Sequence, residues 1–121
     1  MQKTVLIAEN NTLNMKLLTD LLQVNGYNTI SSLNGFNLFQ FIANKRPDLI
    51  LMEIRLGQLS GLDIVDALKK DKQYCNIPII AVTAVAMPGD KKALLDGGFD
   101  EYIEKPISIL AILNTIKQHL G

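Results

Sequence analysis

Short apolar runs alternate along this chain with longer segments in which apolar residues recur every three or four positions. Four runs, at residues 5–8, 49–52, 79–82 and 102–103, have the uninterrupted apolar form of strands buried on both faces. A fifth run, at residues 28–32, is more polar and suits a strand at the edge of a sheet. The pattern therefore predicts five strands.

Each predicted strand is followed by a segment with helical spacing, which predicts five helices. Helix 4 is expected to begin at Pro88, and Ser60 and Ser108 are the predicted caps of helices 3 and 5. The stripes expected to face the core are Leu13, Leu17, Leu18, Leu21, Leu22 and Val24 in helix 1, Phe36, Phe39, Ile42 and Ala43 in helix 2, Leu62, Val65 and Leu68 in helix 3, and Ile109, Ile112, Leu113, Ile116 and Leu120 in helix 5.

This alternation of strand and helix demands a parallel sheet covered by helices on both faces. With five strands the predicted order is 2-1-3-4-5, which gives an α/β fold of the flavodoxin or CheY type with five flanking helices. No linker, repeat or charge run divides the chain, so residues 1–121 are expected to form one domain. Folds of this kind bind ligands beyond the carboxyl ends of the strands.

Composition narrows the class of partner. Twelve lysine and arginine residues balance twelve aspartate and glutamate residues without forming blocks, so binding to nucleic acid is not expected. The single cysteine, Cys75, excludes an intrachain disulfide. The longest apolar stretch, residues 77–87, is too short for membrane insertion, and the N-terminus lacks a signal-peptide core. We expect a cytoplasmic protein, monomeric or weakly dimeric, whose partner is a protein or a small ion.

Polar and charged residues follow the predicted strands at the edge where such a fold binds its ligand. One polar residue at a strand exit is common, but carboxylates, a hydroxyl and an ammonium together at this edge indicate a functional site. The residues are Glu9 and Asn10 after strand 1, Glu53 after strand 3, Thr83 after strand 4 and Lys105 after strand 5.

Four motifs, K-T-V-L-I-A-E-N, D-L-I-L-M-E, I-P-I-I-A-V-T-A and E-Y-I-E-K-P, resemble the strand signatures of the response-regulator receiver domain of two-component signalling. The resemblance covers the whole chain. The stretches N-N-T-L-N-M-K-L, T-A-V-A-M-P-G-D and K-P-I-S are similar to the single-domain cell-cycle regulators of that family.

The resemblance implies a role for each residue of the predicted site. The acidic pair that holds Mg²⁺ in the family falls on Glu9 and Asn10, and the phosphoacceptor falls on Glu53. The backbone carbonyl that completes the metal site falls on Arg55. The switch hydroxyl, the switch aromatic residue and the phosphate-binding lysine fall on Thr83, Tyr102 and Lys105, and the family's bond from that lysine to the following proline is usually cis.

Two positions depart from the family pattern, and both departures weaken the same reaction. Glu53 stands where the family has an aspartate, and an error of about 1 Å in placing a reacting group can cost on the order of 10²-fold in rate. Asn10 replaces a carboxylate ligand of Mg²⁺, a hard cation that prefers anionic oxygen. No cofactor is therefore expected, Mg²⁺ binding is expected to be weak if it occurs, and Glu53 is predicted to form an ion pair with Lys105.

These features favour a binding module rather than an enzyme. The leading hypothesis is a pseudo-receiver that binds a histidine kinase or another regulatory protein without being phosphorylated. One alternative is a conventional phospho-accepting response regulator, either native or altered at Asn10 and Glu53 to trap one state. The other is a metal-assisted phosphatase of the same fold.

Two surfaces are candidates for the partner. The resemblance implies a kinase-docking surface on helix 1, where Asn14 and Met15 lie, and an output face made by helix 4, strand 5 and helix 5. Tyr102, Ile107 and Leu110 are expected on the output face. We favour the output face, because retention of Tyr102 makes sense chiefly if that face is recognised.

Overall fold

Strands and helices alternate as the pattern predicts in the computed structural model, which describes residues 2–84 and 89–121. The strands are β1 (Thr4–Glu9), β2 (Asn28–Leu33), β3 (Leu49–Met52), β4 (Arg55–Leu56), β5 (Leu59–Ser60), β6 (Ile79–Thr83) and β7 (Glu101–Glu104). The helices are α1 (Thr12–Val24), α2 (Leu38–Lys45), α3 (Gly61–Lys70), α4 (Asp90–Asp96) and α5 (Ile109–Leu120). The predicted start of helix 4 at Pro88 lies outside the described residues.

Five strands form one parallel sheet in the order β2-β1-β3-β6-β7. This is the predicted order 2-1-3-4-5, because β4 and β5 form a separate two-stranded unit. The α/β fold class inferred from the sequence is confirmed. The five strands of this sheet run the same way, so Glu9, Thr83 and Glu104, at the carboxyl ends of β1, β6 and β7, lie at one edge of the sheet.

The core has two layers, one on each face of the sheet. Side chains of α2, α3 and α4 pack on one face, and those of α1 and α5 pack on the other. Every residue of β3 and β6 is buried, which explains why these strands read as unbroken apolar runs. Among the described residues, no helix is long and apolar enough to cross a membrane.

A short hairpin between β3 and α3 escapes prediction from the sequence. Its strands, β4 and β5, have two residues each and pair antiparallel. Gly61 follows the hairpin where a Cβ atom would come within 2.9 Å of the Glu53 carbonyl oxygen. A side chain at this position would push the hairpin away from the end of β3.

Helix α2 begins later and faces differently from the prediction. Phe36 and Phe39, predicted as core residues, are 72% and 50% exposed, and the core contacts come from Leu38 and Ile42. The reason is the turn before the helix, where left-handed residues shift the helix start and the phase of its apolar face. Those residues include Asn37, which directly precedes α2.

Helix α5 keeps most of its predicted stripe, whereas α1 keeps only half of it. In α1 the buried residues are Met15, Leu18 and Leu22, whereas Leu13 and Val24 are exposed, contrary to prediction. The stripe is narrower than predicted because only residues three or four apart can face the sheet together.

The cap predicted at Ser108 is confirmed, since its hydroxyl accepts a hydrogen bond from the Ala111 amide. Ile112 and Ile116 are buried in α5, whereas Ile109 is 50% exposed. Ser60 precedes α3 without a capping bond from its side chain.

Lys69 ties α3 to the loop that leads into β6. Its ammonium donates to the carbonyl oxygens of Cys75 at 3.4 Å and Ile77 at 3.1 Å, and to the carboxylate of Asp100 at 2.8 Å. The same Asp100 oxygen accepts the amide of Ile79 at 2.8 Å. One lysine therefore satisfies polar groups of a segment that has little regular structure.

We predict that Lys69→Met lowers the free energy of unfolding by about 1–3 kcal/mol, because it leaves partly buried acceptors without their donor. Lys70→Met is the matched control, since Lys70 loses only a pair with Asp66 in which the lysine side chain is 75% exposed. The control should change stability by about 0.5 kcal/mol or less. Urea unfolding of both variants checks this, and equal losses would contradict the role given to Lys69.

Candidate functional site

A cleft of about 400 Å³ opens at the carboxyl ends of the strands, where the predicted site residues converge. Chain connections from β1, β3 and β6 supply its walls, as the fold requires. The described residues that line it are Asn10, Glu53, Ile54, Arg55, Thr83, Ala84 and Asp90.

Lys105 bridges two buried carboxylates beside this cleft. Its Nζ atom lies 2.8 Å from Oε1 of Glu9 and 2.8 Å from Oε1 of Glu53. The side chains of Glu9 and Glu53 are 1% and 8% exposed, and that of Lys105 is 15% exposed. The ion pair predicted between Glu53 and Lys105 is present, and Glu9 joins it.

Backbone amides add further hydrogen bonds to the two glutamates. Oε2 of Glu53 accepts the amide of Ile54 at 2.6 Å. Oε1 of Glu9 accepts the amides of Asn10 at 3.2 Å and Asn11 at 3.3 Å. Each carboxylate therefore has a cation and at least one amide, which is what a buried charge needs.

The pKa values respond to this arrangement. Burial by itself would raise the pKa of the Glu53 carboxyl, but hydrogen bonds from Lys105, Thr83 and Ile54 outweigh burial and lower it. Burial by itself would lower the pKa of the Lys105 ammonium, but its bonds to Glu53 and Glu9 raise it. Both shifts favour the charged forms, so Glu53 and Lys105 are ionised at neutral pH.

Asn10 does more than remove a carboxylate from the site, because its side-chain amide also makes a new hydrogen bond. Its Nδ2 atom donates to the backbone carbonyl of Arg55 at 2.9 Å. In the receiver family, as noted above, this carbonyl and the acid at position 10 both serve the metal. The asparagine therefore removes one ligand and covers another with an N–H donor.

These donors do not fit a Mg²⁺ site as they are arranged here. Lys105 is bonded to the two remaining carboxylates, and Asn10 is bonded to the Arg55 carbonyl. Mg²⁺ demands near-octahedral oxygen ligands, and these N–H donors compete for the oxygens that would supply them. Within the described residues, no group of three or more histidine, cysteine, aspartate or glutamate side chains is placed to hold a metal ion.

The switch positions flank the cleft. Thr83 is 7% exposed, lines the cleft and donates to Glu53. Tyr102 is partly buried and packs against the core layer of α2, α3 and α4. Burial, together with the negative charges of Glu104 and Asp90, raises the pKa of the Tyr102 hydroxyl. The bond between Lys105 and Pro106 is cis, as the family resemblance implies.

The predicted partner-binding residues are not equally available. Met15 is only 9% exposed and packs in the core, because the helix turns its side chain toward the sheet. Its part in partner binding stays a prediction. Ile107 is partly buried against the same core, whereas Leu110 is 71% exposed. The backbone amide of Asn14 donates to the side chain of Asn11 in the helix cap.

Two exposed leucines on α1 were missed. Leu13 and Leu17 were assigned to the core stripe, but they are 78% and 41% exposed. The buried residues of α1 recur at positions 15, 18 and 22, which defines the side of the helix that faces the sheet. Leu13 and Leu17 lie outside that stripe, and this spacing is the signal that could have identified them.

The sequence profile of the response regulator receiver domain matches residues 5–117. The chain is 48% identical, over all 121 of its residues, to the polar-differentiation response regulator DivK of Brucella anthropi, and the match covers 98% of that protein. The DivK protein of Brucella ovis is 46% identical with the same coverage. These relatives are named as response regulators, which are signalling proteins.

Solved structures show the same fold. The receiver domain of a signal transduction histidine kinase from Syntrophus aciditrophicus superposes with a TM-score of 0.89 at 28% identity, covering 98% of this chain and 89% of that one. The receiver domain of the sensor histidine kinase PA1611 from Pseudomonas aeruginosa, whose structure has a magnesium ion in the active site cleft, gives a TM-score of 0.89 at 26% identity, with coverage of 100% and 99%.

The sheet order, the residues at the strand ends, the profile match across most of the chain and the full-length similarity to DivK proteins lead to one conclusion. The chain belongs to the response regulator receiver family of two-component signalling.

Proposed function

We propose that this receiver acts as a protein-binding module whose binding does not depend on phosphorylation. The observation that carries the proposal is the Lys105 ammonium, which lies 2.8 Å from both Glu9 and Glu53. It engages the carboxylate at the phosphoacceptor position and the carboxylate that the family uses for its metal.

Phosphorylation would require several of these contacts to break together. Lys105 would have to release Glu53, and the Asn10 amide would have to leave the Arg55 carbonyl before a metal could bind. Glu53 also projects one methylene farther than aspartate, which displaces the attacking oxygen. In-line transfer depends on positioning and on electrostatic stabilisation of the moving phosphoryl group, and both are altered here.

The same contacts support a fixed signalling state. Glu53 reaches the lysine and the threonine that would hold a phosphoryl group in the family, so its carboxylate partly imitates a phosphorylated aspartate. The imitation is incomplete, since a carboxylate has about one negative charge and two oxygens, whereas a phosphoryl group has about two charges and three oxygens.

The first test is incubation with acetyl phosphate and Mg²⁺, followed by intact mass measurement. We expect no phosphate adduct on the protein. A stoichiometric adduct would support the alternative of a conventional phospho-accepting regulator and would overturn the proposal. Turnover of phosphate esters in the same mixture would instead support the phosphatase alternative.

Reversion of the two departing residues provides the positive control. Glu53→Asp combined with Asn10→Asp should restore Mg²⁺ binding and adduct formation, because Thr83 and Lys105 are already in place. Glu53→Asp alone should restore less, because Asn10 still covers the Arg55 carbonyl. If the folded double variant stays inert, the account of the site is wrong.

The bridge by Lys105 has a measurable effect on stability. Lys105→Met leaves two buried carboxylates without a cation, and breaking such a buried pair typically costs about 3–5 kcal/mol. We expect a loss of this order at pH 7. Lys117→Met, on the exposed side of α5, is the matched control and should change stability little.

The loss should shrink as the pH falls. In the unaltered chain the pKa of Glu53 lies below its ordinary value of 4.5, so the contribution of Glu53 is present above that value and is lost as pH falls through the lowered pKa. In the variant, burial of Glu53 is opposed by fewer hydrogen bonds, so protonation relieves the unpaired charge. Chemical unfolding at pH 7 and pH 4 checks this, and a loss that is equal at both pH values would contradict it.

We place the partner on the face formed by α4, β7 and α5. Leu110 and Ile109, 71% and 50% exposed, lie at the start of α5, and Tyr102 lies in β7. An exposed apolar pair on a face that also carries an aromatic residue is typical of a protein-binding surface. The partner class is a histidine kinase or another regulatory protein, as receiver domains bind.

Titration with a candidate histidine kinase distinguishes this face from α1. Leu110→Asp should weaken binding by about tenfold or more, since truncation of a central interface residue commonly costs over 1 kcal/mol. Leu13→Asp is the matched control, because Leu13 is 78% exposed on α1. Loss of binding in the Leu13 variant alone would move the binding site to α1.

A further inference from the structure

A second apolar surface lies on another part of the molecule, where the turn before α2 meets the hairpin. Phe36 and Phe39 are 72% and 50% exposed, and Leu59 in β5 is 42% exposed. Large apolar side chains that cluster at a surface mark interaction sites, whereas single ones do not. Phe36 follows β2 and Tyr102 lies in β7, at the opposite edge of the sheet, so this surface is separate from the one assigned above.

Phe39 and Leu59 line a groove at this surface, next to the turn that carries Phe36. Leu59 touches the turn, since a Cβ atom on Gly35 would lie 2.8 Å from Cδ1 of Leu59. The groove has a volume of about 220 Å³. It is lined by Phe39, Gln58, Leu59, Ser60, Asp63 and Ile64.

The backbone holds Phe36 in its exposed position. Asn34, Gly35 and Asn37 all have positive φ angles, of 55°, 78° and 57°. Left-handed conformations of residues other than glycine cost free energy and persist where the surrounding structure imposes them. Here the Ser32 hydroxyl donates to the Phe36 carbonyl at 2.9 Å, and the Phe36 amide donates to the Leu33 carbonyl at 3.0 Å. The exposed ring is therefore presented by an ordered turn.

The groove carries a negative charge, which favours an occupant with a positive charge. Asp63 lines the groove and, among the residues that the structure describes, makes no ion pair. None of the lining residues carries a positive charge. A two-fold contact between two copies of this groove would bring two Asp63 carboxylates together without a cation, which disfavours a homodimer.

The apolar area of this surface is also too small for a stable interface with a second copy of this chain. Each aromatic ring can bury roughly 150–250 Å², so two half-exposed rings and a leucine supply less than the roughly 800 Å² per partner of a stable interface. Laying the apolar face of an amphipathic helix into a hydrophobic groove is a recurring mode of recognition, and this surface suits it.

We propose that this groove binds an amphipathic helix of another protein, with aliphatic residues on one side and a lysine or arginine beside them. The aliphatic side chains pack between Phe39 and Leu59, and the cation pairs with Asp63. This inference does not rest on the absence of phosphorylation.

Two synthetic helical peptides test the proposal. Both have a leucine ridge, and they differ only in the residue beside the ridge, lysine in one and glutamate in the other. Fluorescence anisotropy with the full chain should show the lysine peptide binding about tenfold more tightly than the glutamate peptide. Asp63→Lys should reverse this preference. Equal affinities, an unchanged preference in the Asp63 variant, or no binding of either peptide would overturn the proposal.

Further variants separate the groove from the other exposed leucines. Phe39→Ser should weaken binding of the lysine peptide by about tenfold. Leu110→Asp should leave it unchanged, because Leu110 lies on α5. Circular dichroism checks that each variant is folded, and Asp63→Lys provides the test if Phe39→Ser is not. Analytical sedimentation tests the alternative that a second copy of the chain occupies the groove. Self-association that is abolished by Phe36→Ser would support that alternative and overturn the proposal.

Discussion

An ammonium held between two buried carboxylates is the interaction on which the carboxyl edge of this sheet depends. Glu9 ends β1, Glu53 follows β3, and Lys105 follows β7, which lies beyond β6 in the sheet. The long lysine side chain spans that distance and compensates part of a negative charge that the interior would not tolerate alone. Glu53 and Lys105 are held in their charged forms, and the loops that carry them are tied together.

The same interaction underlies our proposal that this chain does not switch by phosphorylation. A switch needs a group that can be added and removed, and in this family that group is a phosphoryl group on the residue after β3. Here a permanent carboxylate at Glu53 already bonds to Lys105 and Thr83, and Asn10 bonds to the Arg55 carbonyl. On the proposed function, the architecture of the family is retained, while phosphoryl transfer, the reaction that it supports in the family, loses its geometry. We therefore regard the fold as a scaffold that presents surfaces.

Much of the fold could be predicted because buried parallel strands leave a plain signal. The unbroken apolar runs at β3 and β6 predicted buried parallel strands, and the alternation of strands with helices predicted the strand order of the sheet. The hairpin of β4 and β5 could not be predicted, because two-residue strands have no periodicity. The exposure of Phe36 depends on left-handed backbone at Asn34 and Asn37, which the apolar pattern does not encode.

The site was predictable in its members but not in all of its contacts. Because ligands bind at the strand ends in this fold, Glu9, Glu53 and Lys105 were expected to lie together. The distances between them fit that expectation. The bond from Asn10 to the Arg55 carbonyl could not be foreseen, since a sequence gives no direction for an amide side chain. The burial of Met15 could not be foreseen, because residue type alone does not fix the rotation of a helix.

The most direct measurement of the central claim is a pair of amide NMR correlation spectra, recorded with and without millimolar Mg²⁺ and beryllofluoride, a mimic of the phosphoryl group. We predict that the resonances of residues around Glu9, Glu53 and Lys105 do not move, because these groups already satisfy one another. Saturable shifts of those resonances, spreading to Thr83 and Tyr102, would show that the site still accepts a phosphoryl group and would contradict the account.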